Sequence, residues 1–487
     1  MRFFFVFGLG LAALDADVGA WDLSRADAPT AALLRSAYDR GSIFTPAAVD
    51  GAVGASDGSA PLKCRLVVVG AGWAGAYFAW RAAVDAKLYD ASEVCIFEAN
   101  GRVGGRIFSV HDLPGLEGLA LDVGGYRFMD VDALPADLVR ALKLPTRCYD
   151  AGCAALCPGP PEGWHTCHVL RDVYGNNAGY ALPIETMLGQ AIDGGGKVQF
   201  GARLTSISNA NGTSRLAFND GAFEVDAETV LLNLPRNALR KLTGDWVSPG
   251  NEAALFESES ITALTKVYAS YADAWWVNHL GLSEGNFEVA SKDASQPSLQ
   301  GRYHDGPLKC IVGVDTRGAA IYSGVPLSFG NCSGALEVFY SKTDAFWTRY
   351  ANDGNDPLRV HLPREDQGEL IEKVHSALMS LHAGAFLAAG LDSSLVAPPE
   401  MVAVSNWAAE DEYTPSCGSY TGGPEESRKA RRPSELNVFV ANVDYGAAYC
   451  WASGALVAAE RALLDLGLQR PAWLNATWYA EHVASLP

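Results

Sequence analysis

Three glycines with a fixed spacing constrain the fold of this 487-residue chain more than any other feature. Gly70, Gly72 and Gly75 follow an apolar, strand-like run at residues 65–69, and a helix-like run of small and apolar residues begins at residue 73. In such a turn the first glycine allows the sharp bend, the second lets the backbone approach a pyrophosphate, and the third allows close helix–strand packing. The free N–H groups of the helix N-terminus then favour a phosphate. The sequence therefore predicts a βαβ unit that binds a dinucleotide.

An acidic residue and a second glycine turn extend this motif. Glu98 follows the next apolar run, residues 93–97, at about the ~20-residue distance expected of the ribose-binding acid in a dinucleotide fold. Its carboxylate can accept two ribose hydroxyls and would repel a 2′-phosphate. A turn with the sequence Ala-Asn-Gly-Arg-Val-Gly-Gly-Arg then ends at Arg106, which places a further positive charge near the cofactor. A plain NAD-binding fold does not need that contact.

Residues 65–110 resemble the FAD domain of the flavin amine oxidase family, which includes monoamine, polyamine and L-amino-acid oxidases. The resemblance extends over most of the chain and is closest in pattern to the L-amino-acid oxidases. It implies an α/β fold in which a Rossmann-type FAD-binding domain (GR2-like) is interleaved with an α+β substrate-binding domain. The expected division of the chain is a signal peptide at 1–20, a leader at 21–60, FAD-binding segments at 61–125, 191–250 and 430–470, and substrate-binding segments at 126–190 and 251–429.

The same resemblance implies which residues hold a non-covalently bound FAD. The backbone near Leu204 would hold the adenine, and residues 440–455 would close over the flavin ring. The family usually has Phe-Ala-Gly-Glu in this last segment, whereas this chain has Val-Ala-Asn-Val-Asp, so Asp444 would supply the carboxylate after a one-residue slip. Ser419 stands where some monoamine oxidases attach the flavin through a cysteine. The predicted cofactor-binding residues are Gly70, Gly72, Trp73, Ala74, Gly75, Glu98, Ala99, Arg106, Gly124, Gly125, Tyr126, Leu204, Val443, Asp444 and Trp451.

Two charged residues are the candidates for catalysis and for substrate binding. Lys266 lies in an apolar, strand-like run, and the resemblance implies a buried lysine that is hydrogen-bonded through water to flavin N5. A cation there would stabilise the negative charge that develops on reduced flavin and on oxygen; the alternative is an exposed lysine on an edge strand. Arg127 follows a glycine pair, where the similar L-amino-acid oxidases have an arginine that binds the substrate carboxylate as a bidentate pair. The alternative for Arg127 is a structural ion pair with Asp122 or Asp130.

Aromatic residues are expected to complete the substrate site. By resemblance, Tyr413 would hydrogen-bond the substrate carboxylate, and Trp451 and Tyr420 would form walls beside the flavin. Because aromatic side chains also supply much of a protein core, core packing is the alternative for each of them.

The function that follows is FAD-dependent oxidative deamination of an L-amino acid to a 2-oxo acid, ammonia and hydrogen peroxide. Hydride equivalents would pass from the substrate Cα–H to the flavin, and molecular oxygen would reoxidise it. A monoamine or polyamine oxidase keeps this chemistry with another small-molecule substrate. The remaining alternatives are a different flavin reaction, such as a desaturation, and a secreted flavin-fold binding protein without catalytic activity, which the altered 442–444 segment would favour.

Composition and motif content argue against other classes of function. The chain has 37 Lys+Arg and 56 Asp+Glu, a net charge of −19. Such an acidic surface repels phosphate backbones, so nucleic acid is not an expected partner. The sequence contains no P-loop, and its histidines form neither a metal-ligand spacing nor a catalytic triad with the serines. Hydrolase and kinase interpretations therefore have no support. A homodimer is a possible assembly.

The N-terminus is typical of a signal peptide, with an uncleaved anchor as the alternative. Arg2 precedes an apolar run of roughly a dozen residues, which is too short to cross a bilayer as a helix. The chain has ten cysteines, and four of them cluster as Cys148, Cys153, Cys157 and Cys167. This cysteine content indicates disulfides formed in an oxidising compartment. Zinc is the alternative to disulfides for the clustered cysteines, although their spacings match no usual zinc pattern. Glycosylation sequons begin at Asn211, Asn331 and Asn475. The sequence thus predicts a secreted or vesicular glycoprotein without a stable membrane span after signal removal.

Overall fold

A computed structural model describes residues 61–129, 133–144, 146–147, 166–170, 177–257, 259–314, 320–323, 331–352, 356–364, 368–412, 415–446 and 451–485. The predicted signal peptide and leader lie outside the described residues. So do Tyr413 and three of the four clustered cysteines, Cys148, Cys153 and Cys157.

Strands account for much of the described chain. They are β1 (Leu62–Val69), β2 (Val94–Phe97), β3 (Ser109–His111), β4 (Ala120–Asp122), β5 (Phe128–Met129), β6 (Thr146–Arg147), β7 (Thr166–Leu170), β8 (Lys197–Gln199), β9 (Leu204–Ala210), β10 (Thr213–Phe218), β11 (Phe223–Leu232), β12 (Thr243–Gly244), β13 (Glu259–Thr262), β14 (Leu264–Tyr271), β15 (Asn286–Val289), β16 (Leu299–Arg302), β17 (Leu308–Val314), β18 (Ala320–Ser323), β19 (Cys332–Lys342), β20 (Leu358–His361), β21 (Met401–Trp407), β22 (Cys417–Tyr420) and β23 (Val438–Val440).

The helices connect these strands and cover the sheets. They are α1 (Trp73–Trp80), α2 (Ala133–Ala141), α3 (Leu182–Asp193), α4 (Arg236–Leu239), α5 (Glu252–Phe256), α6 (Trp275–Asn278), α7 (Ala345–Thr348), α8 (Gly368–Ala388), α9 (Pro424–Arg431), α10 (Ala452–Asp465) and α11 (Ala476–Tyr479). A π-helical turn, Arg81–Asp85, extends α1. In the described part of the chain, no helix is long and apolar enough to cross a membrane.

The first sheet contains the predicted βαβ unit. Its strand order is β12-β9-β10-β11-β1-β2-β8, and β23 also pairs with β11. Strand β1 runs parallel to both β2 and β11, so Val69 lies beside Phe97 on one side and Leu232 on the other. Apolar clusters cover both faces of this sheet, which explains why the second half of β1, residues 66–69, is a continuous apolar run rather than an alternating one. Every strand of this sheet falls within the segments predicted for the FAD-binding domain.

The second large sheet is antiparallel and carries Lys266. Its order is β15-β16-β19-β14-β21-β20, and β17 joins it through β19. Strand β14 is central, since it pairs with β19 on one side and β21 on the other. Apolar residues of the 21-residue helix α8 pack in the same core as this sheet. The predicted fold class, a Rossmann-type domain interleaved with an α+β domain, is confirmed.

Two helices lie in a different core from the one that the sequence assigns to them. Helices α2 and α3 fall in the 126–190 segment, or begin there, and the sequence places this segment in the substrate-binding domain. In the structure they pack in one apolar core with α1 and α10. The physical reason is that α1 is buried all round, so its apolar surface needs partners on more sides than the first sheet can supply.

Disulfides join strands within each of the two sheets. Cys64 on β1 is bonded to Cys95 on β2, and both are buried. Cys310 on β17 is bonded to Cys332, its direct cross-strand partner on β19. Disulfide bonding, predicted from the cysteine content, is therefore present, although at positions outside the predicted cluster.

Candidate active site

The glycine turn has the geometry that its spacing predicts. Gly70 has a φ of +96°, and a Cβ added there would lie 2.4 Å from the carbonyl oxygen of Asn233. A Cβ on Gly75 would lie 2.0 Å from the carbonyl oxygen of Gly70, so this glycine allows helix α1 to pack against the turn. At Gly72 the closest protein atom would be 3.1 Å away. Protein packing therefore excludes a side chain less strictly at Gly72 than at Gly70 or Gly75. This is consistent with a glycine that lets the backbone approach a ligand.

Glu98 lies beside this turn with its carboxylate held by backbone donors. Oε2 accepts a hydrogen bond of 2.8 Å from the Ala71 N–H, and Oε1 accepts one of 2.9 Å from the Asn100 N–H. Burial raises the pKa of Glu98, and these N–H groups oppose that shift. Each oxygen retains a second lone-pair direction, so the carboxylate can accept ribose hydroxyls. Helix α1 begins at Gly72 without a side-chain cap or an acidic residue in its first turn, which leaves N–H groups for a phosphate.

Arg106 links the second glycine turn to the C-terminal segment. Its guanidinium hydrogen-bonds Asp444 and Asn442, and donates at 3.1 Å to the Ser416 carbonyl. The Asp444 side chain is 0% exposed and is held by this ion pair. Asp444 was predicted to contact the cofactor, but in the structure it lies behind Arg106, whereas Arg106, Asn442 and Val443 line the cleft. The substituted segment therefore positions an arginine through two acceptors.

Lys266 is central and buried. Its residue is 2% exposed, and Nζ donates to the carbonyl oxygens of Gly124 at 2.8 Å and Asp122 at 3.3 Å. Nζ also lies 3.6 Å from the centre of the Tyr126 ring, a cation–π contact. Burial lowers the pKa of Lys266 to about 7. The alternative of an exposed lysine on an edge strand is thus excluded.

Two aromatic residues beside Lys266 are absent from the predicted site. Tyr340 is the cross-strand partner of Lys266 on β19, and its ring centre lies 5.1 Å from Nζ. Trp407 pairs with Leu264 on β21, and its indole N–H donates at 3.0 Å to the Val123 carbonyl. Both line the cleft. The signal that finds them is strand register, because side chains on neighbouring strands of one face lie opposite each other.

Arg127 is engaged by an acid from another part of the chain. Its guanidinium lies 3.6 Å from Asp305 Oδ1, and its side chain is 12% exposed. The guanidinium also stacks 4.4 Å from the centre of the Tyr126 ring, and the Tyr126 hydroxyl donates at 2.7 Å to Asp305. Neither Arg127 nor Tyr126 is among the described residues that line the cleft. Of the two predicted arrangements, this one corresponds to a structural ion pair, made here with Asp305. Asp130 lies outside the described residues.

The predicted aromatic walls have different positions. Trp451 lines the cleft at the start of helix α10. Tyr420 packs away from it, with its hydroxyl donating at 3.1 Å to the Ala254 carbonyl and its ring 5.8 Å from that of Tyr445. Tyr413 lies outside the described residues, so its predicted role stays a prediction.

A cleft brings these parts together. Its space is about 1390 Å³ with the open mouth included. Residues of both large sheets line it, including the predicted residues Gly70, Gly72, Trp73, Ala74, Glu98, Ala99, Arg106, Gly124, Gly125, Leu204, Lys266, Val443 and Trp451. Further lining residues that the sequence did not single out include Asn233, Pro235, Tyr340, Trp407, Glu412 and Asn442. Among the described residues, no group of histidine, cysteine and acidic side chains is arranged to hold a metal ion.

Comparison with known proteins decides the family. A model of an NAD(P)-binding Rossmann-like domain matches residues 68–141. A model of the flavin containing amine oxidoreductases matches residues 143–462, well over half of the chain. The chain belongs to the flavin-containing amine oxidoreductase family. The predicted family is thereby confirmed, and FAD is the cofactor.

Solved structures of putrescine oxidase share the fold of this flavin amine oxidoreductase. The wild-type enzyme bound to putrescine matches with a TM-score of 0.53 and 14% identity, covering 84% of this chain and 100% of that chain. A double mutant matches with a TM-score of 0.54 and 14% identity, covering 84% and 100%. A single mutant matches with a TM-score of 0.54 and 14% identity, covering 84% and 99%. No curated protein sequence is significantly similar to this chain.

The residues present fit FAD. A helix N-terminus without a side-chain cap, the glycines of the turn before it, and a buried acid with free acceptor capacity lie along one cleft. Those groups would hold the pyrophosphate and the adenosine ribose. Lys266, Gly124 and Gly125 line the same cleft and are the candidates for contact with the flavin ring.

Proposed function

We propose that this flavin amine oxidoreductase catalyses the oxidative deamination of a small amine that needs no carboxylate, with molecular oxygen as the final electron acceptor. The observation that carries the proposal is the buried Lys266 ammonium in the cleft that the dinucleotide-binding residues also line. Bound FAD would accept the hydrogen and electrons from the substrate C–H bond. The protein residues hold the reacting groups in position.

The ionisation of Lys266 suits a reaction in which negative charge appears and disappears. Because burial lowers its pKa to about 7, both protonation states are populated at neutral pH. In its charged form the ammonium stabilises negative charge on oxygen as it accepts electrons. The two carbonyl acceptors, on Gly124 and Asp122, fix the position of Nζ in either state.

The position of Arg127 supports a substrate without a carboxylate. A carboxylate-binding arginine has to present its planar guanidinium to the ligand. Here the guanidinium faces Asp305 and the Tyr126 ring, and it is largely covered. The charge that would attract a carboxylate is therefore already balanced by a buried acid.

An L-amino acid is the second candidate substrate, and one observation favours it. The Tyr126 ring contacts Lys266 Nζ, and Arg127 is the next residue in the chain. The backbone of Arg127 is therefore adjacent to a residue that contacts the proposed catalytic lysine. A guanidinium can bind more than one carboxylate, because it has five N–H donors. In this case Arg127 would bridge Asp305 and the substrate.

Anaerobic bleaching of the flavin absorbance separates these candidates. We expect a pool of amines to bleach the purified yellow protein and a pool of L-amino acids to leave it unchanged. Arg127→Ala should then preserve bleaching by amines, and Arg203→Ala, which removes an exposed arginine paired with Asp220, is the matched control. Bleaching by amino acids that Arg127→Ala weakens by about 1.5–3 kcal/mol would establish the second candidate instead. A yellow protein bleached by neither pool would refute both.

The pH dependence of bleaching provides a further check. Only a neutral amine readily releases hydride equivalents, so the rate of anaerobic reduction should rise with pH above neutrality. A rate that stays flat from about pH 6 to pH 9 would count against amine oxidation.

A further inference from the structure

Two buried carboxyl groups lie behind Lys266 and take no part in the mechanism above. Asp305 follows strand β16, and Glu337 is on the neighbouring strand β19. Their residues are 9% and 0% exposed, and the charge of Asp305 adds to burial in raising the pKa of Glu337. Two carboxylates that interact out of water repel each other, so the ionisation of one disfavours the ionisation of the other.

The hydrogen-bond donors around the pair reach only one oxygen of each carboxyl group. The Tyr126 hydroxyl donates to Asp305 Oδ2 at 2.7 Å, and the Tyr268 hydroxyl lies 3.3 Å from Glu337 Oε2. With both acids ionised, the other oxygen of each, Oδ1 and Oε1, would be buried without a hydrogen-bond donor among the described residues. A buried acceptor without a donor is costly. One proton held between the two carboxyls removes that cost.

The pair is joined to Lys266 through the two tyrosines. The Tyr126 ring lies 3.6 Å from Lys266 Nζ, and the Tyr268 hydroxyl is 3.3 Å from the Asp122 carbonyl oxygen that also accepts from Nζ. Apart from burial, Glu337 exerts the largest electrostatic influence on Lys266 and favours its charged form.

Other charged groups around the pair also influence the protonation state of Lys266. Asp122 supports the charged form of Lys266, whereas Arg127 and Arg302 oppose it. Arg127 and Arg302 lie 3.6 and 3.9 Å from Asp305, and His304 Nε2 lies 3.5 Å from Oδ1 of the same acid.

We propose that Asp305 and Glu337 share a single proton, and that the one negative charge they retain together keeps Lys266 able to carry its positive charge beside the flavin. The pair therefore acts as positioning residues for the charge state of Lys266. This inference rests on the proposed function for the role of Lys266, although the shared proton can be measured without turnover.

Removing one acid should have little effect, and removing both should have a large one. In Glu337→Gln the amide N–H replaces the shared proton and Asp305 remains negative; in Asp305→Asn the roles are exchanged. Each single variant therefore retains one negative charge. The double variant has none, so Lys266 should lose its proton at lower pH.

Lysine ¹³Cε NMR of the holoprotein, labelled with [ε-¹³C]lysine, reads the charge of Lys266 directly, and Lys266→Met identifies its signal. We expect the titration midpoint to stay within about half a pH unit of wild type in each single variant and to fall by about 1–2 pH units in the double variant. Glu185→Gln is the matched control, because Glu185 is a buried acid on α3 whose pKa is raised to about 7 by burial alone. It should leave the midpoint unchanged.

Additive shifts in the two single variants would show two ionised acids and overturn the shared proton. An unshifted double variant would overturn the coupling to Lys266. If the double variant fails to fold, the titration midpoints of the two single variants still test the shared proton. Arg127→Gln, which removes a positive charge 3.6 Å from Asp305, should raise the midpoint of Lys266. Amine bleaching of the wild type fails or succeeds independently of these titrations, which separates this inference from the proposed function.

Discussion

Replacing Lys266 by Met should change the free energy of unfolding in a strongly pH-dependent way. Burial lowers the pKa of Lys266 to about 7 in the folded chain, against about 10.4 for an unfolded lysine. Between these two values the unfolded chain binds more protons than the folded chain, so the wild-type free energy of unfolding rises with pH. The penalty is fully present below the folded pKa and disappears above the unfolded one.

The magnitude follows from the two pKa values. The lowered pKa of Lys266 decreases the free energy of unfolding by about 4 kcal/mol at about pH 7 and by about 1 kcal/mol at about pH 9.5. Met carries no such penalty, although it leaves the Gly124 carbonyl without its donor at every pH. The stability of Lys266→Met relative to wild type should therefore decrease by about 3 kcal/mol between these pH values.

Urea denaturation followed by tryptophan fluorescence, with FAD saturating in both proteins, measures this difference. Lys197→Met, which removes an exposed lysine on β8, should give the same difference from wild type at both pH values. A relative stability of Lys266→Met that is also constant with pH would refute the argument, since Lys266 would then titrate as it does in water.

Three further changes test the cofactor site and the core. Gly75→Ala places a Cβ 2.0 Å from the Gly70 carbonyl, so the purified protein should lose its bound flavin, as its visible spectrum would show. Asp444→Asn removes the charged partner of Arg106, and fluorescence titration should show FAD affinity reduced by about tenfold or more. Glu460→Gln removes the buried carboxylate that pairs with Arg81 and leaves Asp85 as the acid still bound to that guanidinium. Thermal or urea unfolding should show a loss of about 1–3 kcal/mol.

The dinucleotide-binding half of the site was predictable because its requirements are local. The glycine turn, the helix after it and Glu98 lie within about thirty residues, and each step depends on backbone geometry or on a single acid. Most residues predicted from this motif line the cleft. Gly75 does not, because its role is to allow the helix to pack.

The substrate half depends on contacts between distant parts of the chain. Tyr340 lies opposite Lys266 only because β19 pairs with β14 in one register, and a shift of one residue would turn it to the other face. Arg127 meets Asp305 across 178 positions, so no local pattern indicates that ion pair.

The disulfide between Cys64 and Cys95 makes the cofactor-binding fold dependent on where the chain matures. It closes a loop with a sequence separation of 31 that contains the whole glycine turn and helix α1, which corresponds to about 3–4 kcal/mol of loop entropy removed from the unfolded chain. Both cysteines are buried once β1 and β2 have paired, so reductants have poor access to the disulfide after folding. Chains synthesised in a reducing cytosol would have to assemble the FAD site without this cross-link, whereas chains that fold in an oxidising lumen would retain it permanently.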